Sequence, residues 1–300
     1  PTRRSSDLLI IGAGPAGASA ALTLRHRNKS VAVVANAPES SSLYKAPLIA
    51  NYPGVKMSGP DFQQALLDQM KEEGVELIHG RALSVMSLGE TFGIAVGNDF
   101  HEATAVIIAA GITRESAYKG ENEYVGKGVS YCATCDGFFF RKKNVAVVGG
   151  GNSAVEEAEF LTRFASSVTI IHRRDALRAD KIVQERAFEN PKIKFCWNSV
   201  VTEVVGDEKV TGLKLKNVKT GEESLMPIDG VFVFVGTRTV TDLFEGQLEI
   251  ENNTIKVGSD MQTSVPYVYA AGESVDNRYR QVIVSAALGS QAGISVSKTY

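Results

Sequence analysis

Two glycine-rich turns of one design govern what this chain can fold into. The first, Gly12-Ala13-Gly14-Pro15-Ala16-Gly17, follows the apolar run Leu8 to Ile11 and opens an Ala/Leu-rich stretch to about Arg27. The second, Gly149-Gly150-Gly151-Asn152-Ser153-Ala154, follows Asn144 to Val148 and opens a stretch to about Phe164. Both read as strand, turn, helix. Glycines permit the tight turn and the close approach of a pyrophosphate, which the helix N-terminus then stabilises. Ala154 replaces the third glycine of the second turn, where helix and strand pack. Val31 to Val34 and Val168 to Ile171 supply the next strands and complete two βαβ units, an internal repeat. A chain of 300 residues has room for two domains. The expected fold class is α/β: two Rossmann-like three-layer nucleotide-binding domains, one inserted into the other. One turn for a flavin nucleotide and one for a nicotinamide is the economical assignment.

The rest of the chain fills in that frame. Residues 40–54 read as an irregular loop with Lys45, Pro47 and Asn51-Tyr52-Pro53-Gly54. Asp61 to Gly74 has helical spacing, with Phe62, Ala65, Leu66, Gln69 and Met70 on one face. Val75 to Val96 alternates like a small β-meander. Ala105 to Gly111 is a buried parallel-type strand, and Arg114 to Gly120 breaks the pattern. Thr220-Gly221-Glu222 is a hairpin turn, Val231 to Val235 a buried strand, and Thr241 to Glu245 the expected return crossing. Ile255 to Val257 and Val268 to Glu273 supply the last strand and turn. The final helix, Arg280 to Lys298, is rich in small residues and suits close packing under a cofactor or a neighbouring helix. The expected boundaries are therefore 1–114 with 244–300 for the flavin domain, and 115–243 for the inserted one.

Between the two turns lies Tyr131-Cys132-Ala133-Thr134-Cys135-Asp136-Gly137-Phe138-Phe139. Two cysteines three apart close a small disulfide ring and open it again, exchanging two electrons through a mixed disulfide. The alternatives are an inert pair and half of a zinc site. Structural zinc needs four ligands, and the chain offers one further cysteine, Cys196, and four histidines at no ligand spacing. No metal site is expected. A redox dithiol beside a dinucleotide turn suggests electrons passing from a nicotinamide to a disulfide.

The strand after the second turn ends in His172-Arg173-Arg174-Asp175-Ala176-Leu177-Arg178. An acidic residue there would bind a free ribose 2′-hydroxyl, whereas arginines accept a 2′-phosphate with forked donors. Arg173, Arg174 and Arg178 thus select NADPH, against the alternative of a solvated basic patch. After the first turn the ribose position is held by Asn36, with Glu39 a little later. Hydrophobic residues make up 44% and the net charge is −2, which gives no basic face for nucleic acid or an anionic membrane. No apolar run approaches the roughly 20 residues of a spanning helix. Residues 1–6 are polar and a strand follows at once, so no signal peptide is expected. The cysteine usage fits a cytoplasmic protein.

At these residues the sequence resembles the low-molecular-weight thioredoxin reductases. Four motifs stand in that family's order: the first glycine turn; Cys132 to Phe139; the second glycine turn with Glu156-Glu157-Ala158; and His172-Arg173-Arg174 with Arg178. Ala270-Ala271-Gly272 and Tyr279-Arg280-Gln281 are similar to its closing flavin segment. The chain departs from it in three places. Glu39-Ser40-Ser41-Ser42-Leu43 replaces a Gly-Gly-Gln-Leu run, Glu273 replaces an aspartate, and Thr239-Val240 replaces a Pro-Asn pair. The loop around Tyr44 to Gly54 is similar to that of reductase-like flavoproteins in some anaerobes, some of which draw electrons from ferredoxin.

The resemblance implies FAD contacts at Gly12, Gly14, Pro15, Ala16, Gly17, Asn36, Asn51, Ala110, Gly111, Gly272, Glu273, Arg280, Gln281 and Val282. It implies NADPH contacts at Gly149, Gly151, Asn152, Ser153, Ala154, His172, Arg173, Arg174 and Arg178. It further implies a homodimer and a thioredoxin-disulfide reductase in which electrons run from NADPH through FAD to Cys132–Cys135 and on to thioredoxin or a thioredoxin-like protein. Cys135 then faces the flavin, Cys132 attacks thioredoxin, and Asp136 relays a proton. A turn or N-cap role is the alternative for Asp136. Phe138 and Phe139 are either core or an exposed anchor for thioredoxin. Nicotinamide and dithiol share a domain, yet both must meet one flavin. The inserted domain is therefore expected to rotate about crossings near 115–119 and 241–245. Rival readings are a ferredoxin- or NADH-fed reductase, an FAD oxygenase or oxidase with a vestigial dithiol, and a non-enzymatic nucleotide-binding module.

Overall fold

A computed structural model describes residues 3–4, 7–44, 46, 48–114, 116–239, 246–251, 253–276 and 279–299. The chain divides into two compact units, Pro1–Thr113 with Arg238–Tyr300, and Arg114–Thr237. The second division thus falls at Thr237/Arg238 rather than at 243/244. The crossing expected at 241–245, and positions 45 and 47 of the first loop, lie outside the described residues.

In the first unit a five-stranded parallel sheet runs in the order Val268–Ala270, Ala105–Ile108, Leu8–Ile11, Val31–Ala35, Glu76–His79. The central strands are buried along their whole length, as parallel strands covered on both faces must be. Helices Pro15–Arg25 and Val282–Thr299 belong to one face, with Leu8, Ile10, Leu24, Val33, Ile107 and Val296 in their shared core. On the other face Leu9, Ile11, Val34, Val106 and Ile108 meet the antiparallel strands Ala82–Ser87, Phe92–Val96 and Asp99–Ala103. The meander therefore begins at Ala82. Glu76–His79, expected within it, instead bonds to Val31–Ala35 as the edge of the parallel sheet.

The second unit repeats this plan. Its parallel sheet runs Val129–Ser130, Gly230–Val233, Asn144–Val148, Ser167–Ile171, Ile193–Cys196. Helices Asn152–Leu161 and Lys181–Glu189 pack with one face, and strands Ser199–Gly206, Val210–Asn217 and Glu223–Pro227 with the other. The hairpin turn at Gly221 takes a positive φ of 77°, which glycine adopts without penalty. In both units the strand at one edge of the parallel sheet leads into the meander, and the chain returns from the meander to pair beside the strand that precedes the glycine turn. This is the three-layer fold expected from the repeated βαβ.

Two expectations about helices need correction or completion. The helix Gly59–Glu72, capped by Ser58 whose Oγ accepts from the Asp61 N–H at 3.2 Å, buries Phe62, Gln63, Leu67 and Met70. Ala65 and Gln69, expected on that face, are exposed. The face is turned because Gln63 reaches inward and donates from Nε2 to the Ala13 carbonyl at 3.0 Å. The small residues of the last helix serve a neighbouring helix: a Cβ on Gly289 would lie 2.0 Å from the Ala16 carbonyl oxygen.

Candidate functional site

The first glycine turn lies at the carboxyl ends of the parallel strands, where doubly wound sheets bind ligands. A cleft of about 320 Å³ opens there, lined by Gly12, Gly14, Pro15, Ala16, Asn36, Ala110, Gly111 and Glu273 among others. Each glycine has its own reason. Gly12 has φ 112°, and a Cβ there would lie 2.3 Å from the Ala109 oxygen. A Cβ on Gly17 would lie 1.8 Å from the Gly12 oxygen, so this glycine brings helix onto strand and does not line the cleft. Gly14 caps the helix, and a Cβ on it would meet nothing within 4 Å, so it leaves space on the cleft side. Pro15 occupies the first helical turn, which carries no acidic residue. An open cradle, free helix N–H groups and no opposing charge fit a dinucleotide pyrophosphate.

Other sequence-predicted residues are placed around this cleft rather than in its wall. Gly272 has φ 70° and packs on Ala16. Asn51 donates to the Gln281 side chain. Val282 packs against the small cluster of Leu43, Ile49 and Phe62. Burial pushes the Glu273 carboxyl above its ordinary range, and the charge of Arg280 acts in the opposite direction. Ser41, Ser42, Gln63, Arg81 and Ser285 also line the cleft and were not foreseen. Gln63 links two of these parts, accepting from Ser41 Oγ at 3.3 Å while it holds the Ala13 carbonyl. Ser41 and Ser42 belong to the stretch that departs from the Gly-Gly-Gln-Leu pattern, and here they face the cleft. Arg81 could have been found only by knowing that Glu76–His79 ends at the sheet's ligand edge.

In the second unit Cys132 and Cys135 form a disulfide, with Cα atoms 5.3 Å apart. Cys132 starts the short helix Ala133–Asp136, and its Sγ accepts from the Cys135 N–H at 3.2 Å. Cys135 is exposed and Cys132 half-buried, so exchange with an outside disulfide has access. Asp136 accepts at Oδ2 from Ser130 Oγ at 2.6 Å. Burial raises its affinity for a proton, and the Ser130 hydroxyl partly offsets that. Ser130 is itself buried, and its Oγ accepts from the Cys132 N–H at 3.2 Å. One hydroxyl thus ties the acid to the dithiol loop. Glu157, on the helix after the glycine turn, accepts from the Thr134 N–H at 3.2 Å. Nothing in the spacing pointed to Ser130. Phe138 and Phe139 are 59% and 56% exposed and pack edge to face, with Arg141 over Phe138 at 5.0 Å. Both rings therefore stand at the surface rather than in the core, while Phe140 is buried.

The second glycine turn repeats the first. Gly149 has φ 148°, and a Cβ there would lie 2.7 Å from Cβ of Ala154. A Cβ on Gly151 would meet nothing within 4 Å, and the first helical turn after it holds no acid. Ser153 and Asn152 are exposed, with Asn152 Nδ2 donating to Asp180 Oδ2 at 2.8 Å. Arg173, Arg174 and Arg178 are all exposed. Asp175 is drawn away by Lys219 at 2.7 Å. His172 is buried, and its Nε2 has no hydrogen-bond partner among the described residues. Burial first, then Arg178, Arg174 and Arg173, hold it below the ordinary imidazole range, so the ring is neutral. This is a second cradle that fits a dinucleotide, with cations ready for an extra phosphate. Among the described residues no group of acids, histidines and cysteines could hold a metal, and no helix is long and apolar enough to cross a membrane.

Two dinucleotide-binding units, one of them carrying a reversible dithiol, define a class of flavin- and nicotinamide-linked disulfide oxidoreductases. Residues 6–289 match the pyridine nucleotide-disulphide oxidoreductase family. A thioredoxin reductase of Streptomyces coelicolor is 43% identical over 96% of this chain and 92% of its own length. The crystal structure of thioredoxin reductase from Streptococcus pyogenes is 38% identical, covers 99% of this chain and 98% of its own, and superimposes with a TM-score of 0.89. The thioredoxin reductase from Giardia duodenalis is 33% identical over 99% of both chains, with a TM-score of 0.91. The chain belongs to the pyridine nucleotide-disulphide oxidoreductases and, within them, to the thioredoxin reductases.

Proposed function

We propose that this enzyme passes electrons from NADPH through FAD to the Cys132–Cys135 disulfide and from there to thioredoxin, as a cytoplasmic homodimer. The observation that carries the reading is the dithiol beside Asp136 in the same unit as the second glycine turn and its arginines. FAD bound in the first cleft supplies two-electron transfer between the nicotinamide and the disulfide. Gly12, Gly14, Pro15 and Ala16 would present backbone to its pyrophosphate, Asn36 and Arg81 would hold its ribose and adenine end, and Glu273 would accept from a ribityl hydroxyl. Gly149, Gly151, Ser153 and Ala154 seat the NADPH pyrophosphate. Arg173, Arg174 and Arg178 grip the 2′-phosphate with planar donors that lysine could not match.

Two electrons and two protons open the Cys132–Cys135 bond to a Cys132 thiolate and a Cys135 thiol, the second proton resting on Asp136. The Cys132 thiolate attacks the thioredoxin disulfide and one thioredoxin sulfur leaves, taking a proton from Asp136. Cys135 then attacks Cys132 of the mixed disulfide, which restores the internal bond and releases reduced thioredoxin. The exposed rings of Phe138 and Phe139 give the partner an apolar footing beside the sulfurs.

Anaerobic titration tests the donor. NADPH is expected to bleach the bound flavin by two equivalents, one electron pair going to the disulfide and one staying on the flavin, and NADH to do so only at far higher concentration. Bleaching by reduced ferredoxin and not by NADPH would overturn the reading. The exposed guanidiniums at the second turn favour NADPH over that alternative.

A further inference from the structure

The G-x-G-x-x-A pattern leaves its second position open, yet here that position is Gly150, and the structure gives it a distinct task. A Cβ on Gly150 would lie 2.5 Å from Cε1 and Nδ1 of His172 and 2.8 Å from Cγ. The imidazole therefore lies directly against the bare Cα. His172 has no room to yield: it is 5% exposed, its N–H donates to the Cys196 carbonyl at 3.0 Å, and its carbonyl accepts from the Ser199 N–H at 3.0 Å. The Gly150 carbonyl in turn accepts two backbone N–H groups, from Arg178 at 2.6 Å and from Ala179 at 3.1 Å. One residue thus holds both ends of the basic segment, the side chain at its start and the backbone at its finish.

We propose that Gly150 is a specificity-positioning residue. Packed under His172 and bonded to Arg178, it fixes the register between the turn that receives the pyrophosphate and the segment that receives the 2′-phosphate. This rests on the reading of Arg173, Arg174 and Arg178 as the 2′-phosphate site. A methyl group at this position pushes the turn off the imidazole and withdraws the acceptor from Arg178. The loss falls on the phosphate-dependent part of binding more than on the part common to both nicotinamide nucleotides.

The test measures calorimetric binding of 2′,5′-ADP and 5′-AMP to the flavin-loaded enzyme. Gly150→Ala is expected to lower the affinity ratio of the two by about tenfold, the scale of one charge-assisted contact. Equal weakening of both ligands would overturn the proposal. Arg178→Ala serves as the reference. If it leaves the ratio unchanged, the reading of the arginines fails; if it lowers the ratio while Gly150→Ala does not, the inference about Gly150 fails alone. Should Gly150→Ala not fold, the collision can be removed with Gly150→Ala/His172→Ala. That pair is expected to fold and to match the ratio of His172→Ala within a factor of about two. A pair ratio about tenfold below that of His172→Ala means that Gly150 does not act through the imidazole, and the proposal falls.

Discussion

The proton relay proposed for Asp136 rests on two opposing influences. Burial favours its neutral form, and the hydroxyl of Ser130 pulls the other way. An acid held protonated above the ordinary carboxylate range donates to a leaving thiolate closer to neutral pH. Asp136→Asn is expected to slow thioredoxin reduction by the prereduced enzyme by about 10²-fold, read by stopped flow. In the unmodified enzyme that rate falls as pH rises through the raised value, because the proton is lost. Ser130→Ala removes the opposing influence, so the falling limb moves to higher pH; a limb that stays or moves down would show that the hydroxyl does not act on Asp136. Glu273 offers a second test through stability. Its folded value is raised, chiefly by burial. Below the ordinary glutamate value of about 4.3 the carboxyl is neutral whether folded or not, and glutamine is its equal. As pH rises through the folded value, a buried group must ionise and stability is lost. Glu273→Gln is therefore expected to raise the Tm of the flavin-free protein near pH 7.5 and to leave it unchanged near pH 4.

At the scale of elements, the last helix is fixed by what it lacks. Gly289 and Gly293 let it approach Pro15–Arg25 until the Ala16 and Ala20 carbonyls touch it. Gly289→Ala puts a Cβ against backbone, so the helices must part at a cost of about 1–3 kcal/mol. Ala16 also lines the cleft, so parting there is expected to speed flavin dissociation as well as lower the Tm. A lower Tm with unchanged flavin release would separate the packing from the cleft. The helix Gly59–Glu72 teaches the converse. Its pattern of apolar residues pointed one face inward, but a glutamine, polar and normally exposed, took part of the buried side because a backbone acceptor waited there.

On the scale of the whole molecule, the dithiol and the glycine turn proposed for the nicotinamide belong to one unit, and the cleft proposed for the flavin to the other. Both must reach one ring in turn, so we propose that the inserted unit rotates about its crossings during each cycle. An engineered disulfide between the crossings is expected to abolish steady-state turnover while single half-reactions persist; full turnover in the locked, oxidised form rules the rotation out. The repeated βαβ and the Cys-x-x-Cys were legible in the sequence because they are local. A glycine turn, the strand before it and the helix after it are contiguous, and their spacing carries their chemistry. Ser130, Gln63, Arg81 and the burial of His172 were not legible. Each depends on which distant backbone or side chain arrives beside it, and that is settled by how the layers pack. The sequence alone determined the class of fold, the cysteine pair and the run of arginines after the second glycine turn. Tertiary structure alone decided which acid is buried and bonded, which glycine is pinned by an imidazole, and where each unit ends, since burial and contact are properties of packed layers and not of spacing.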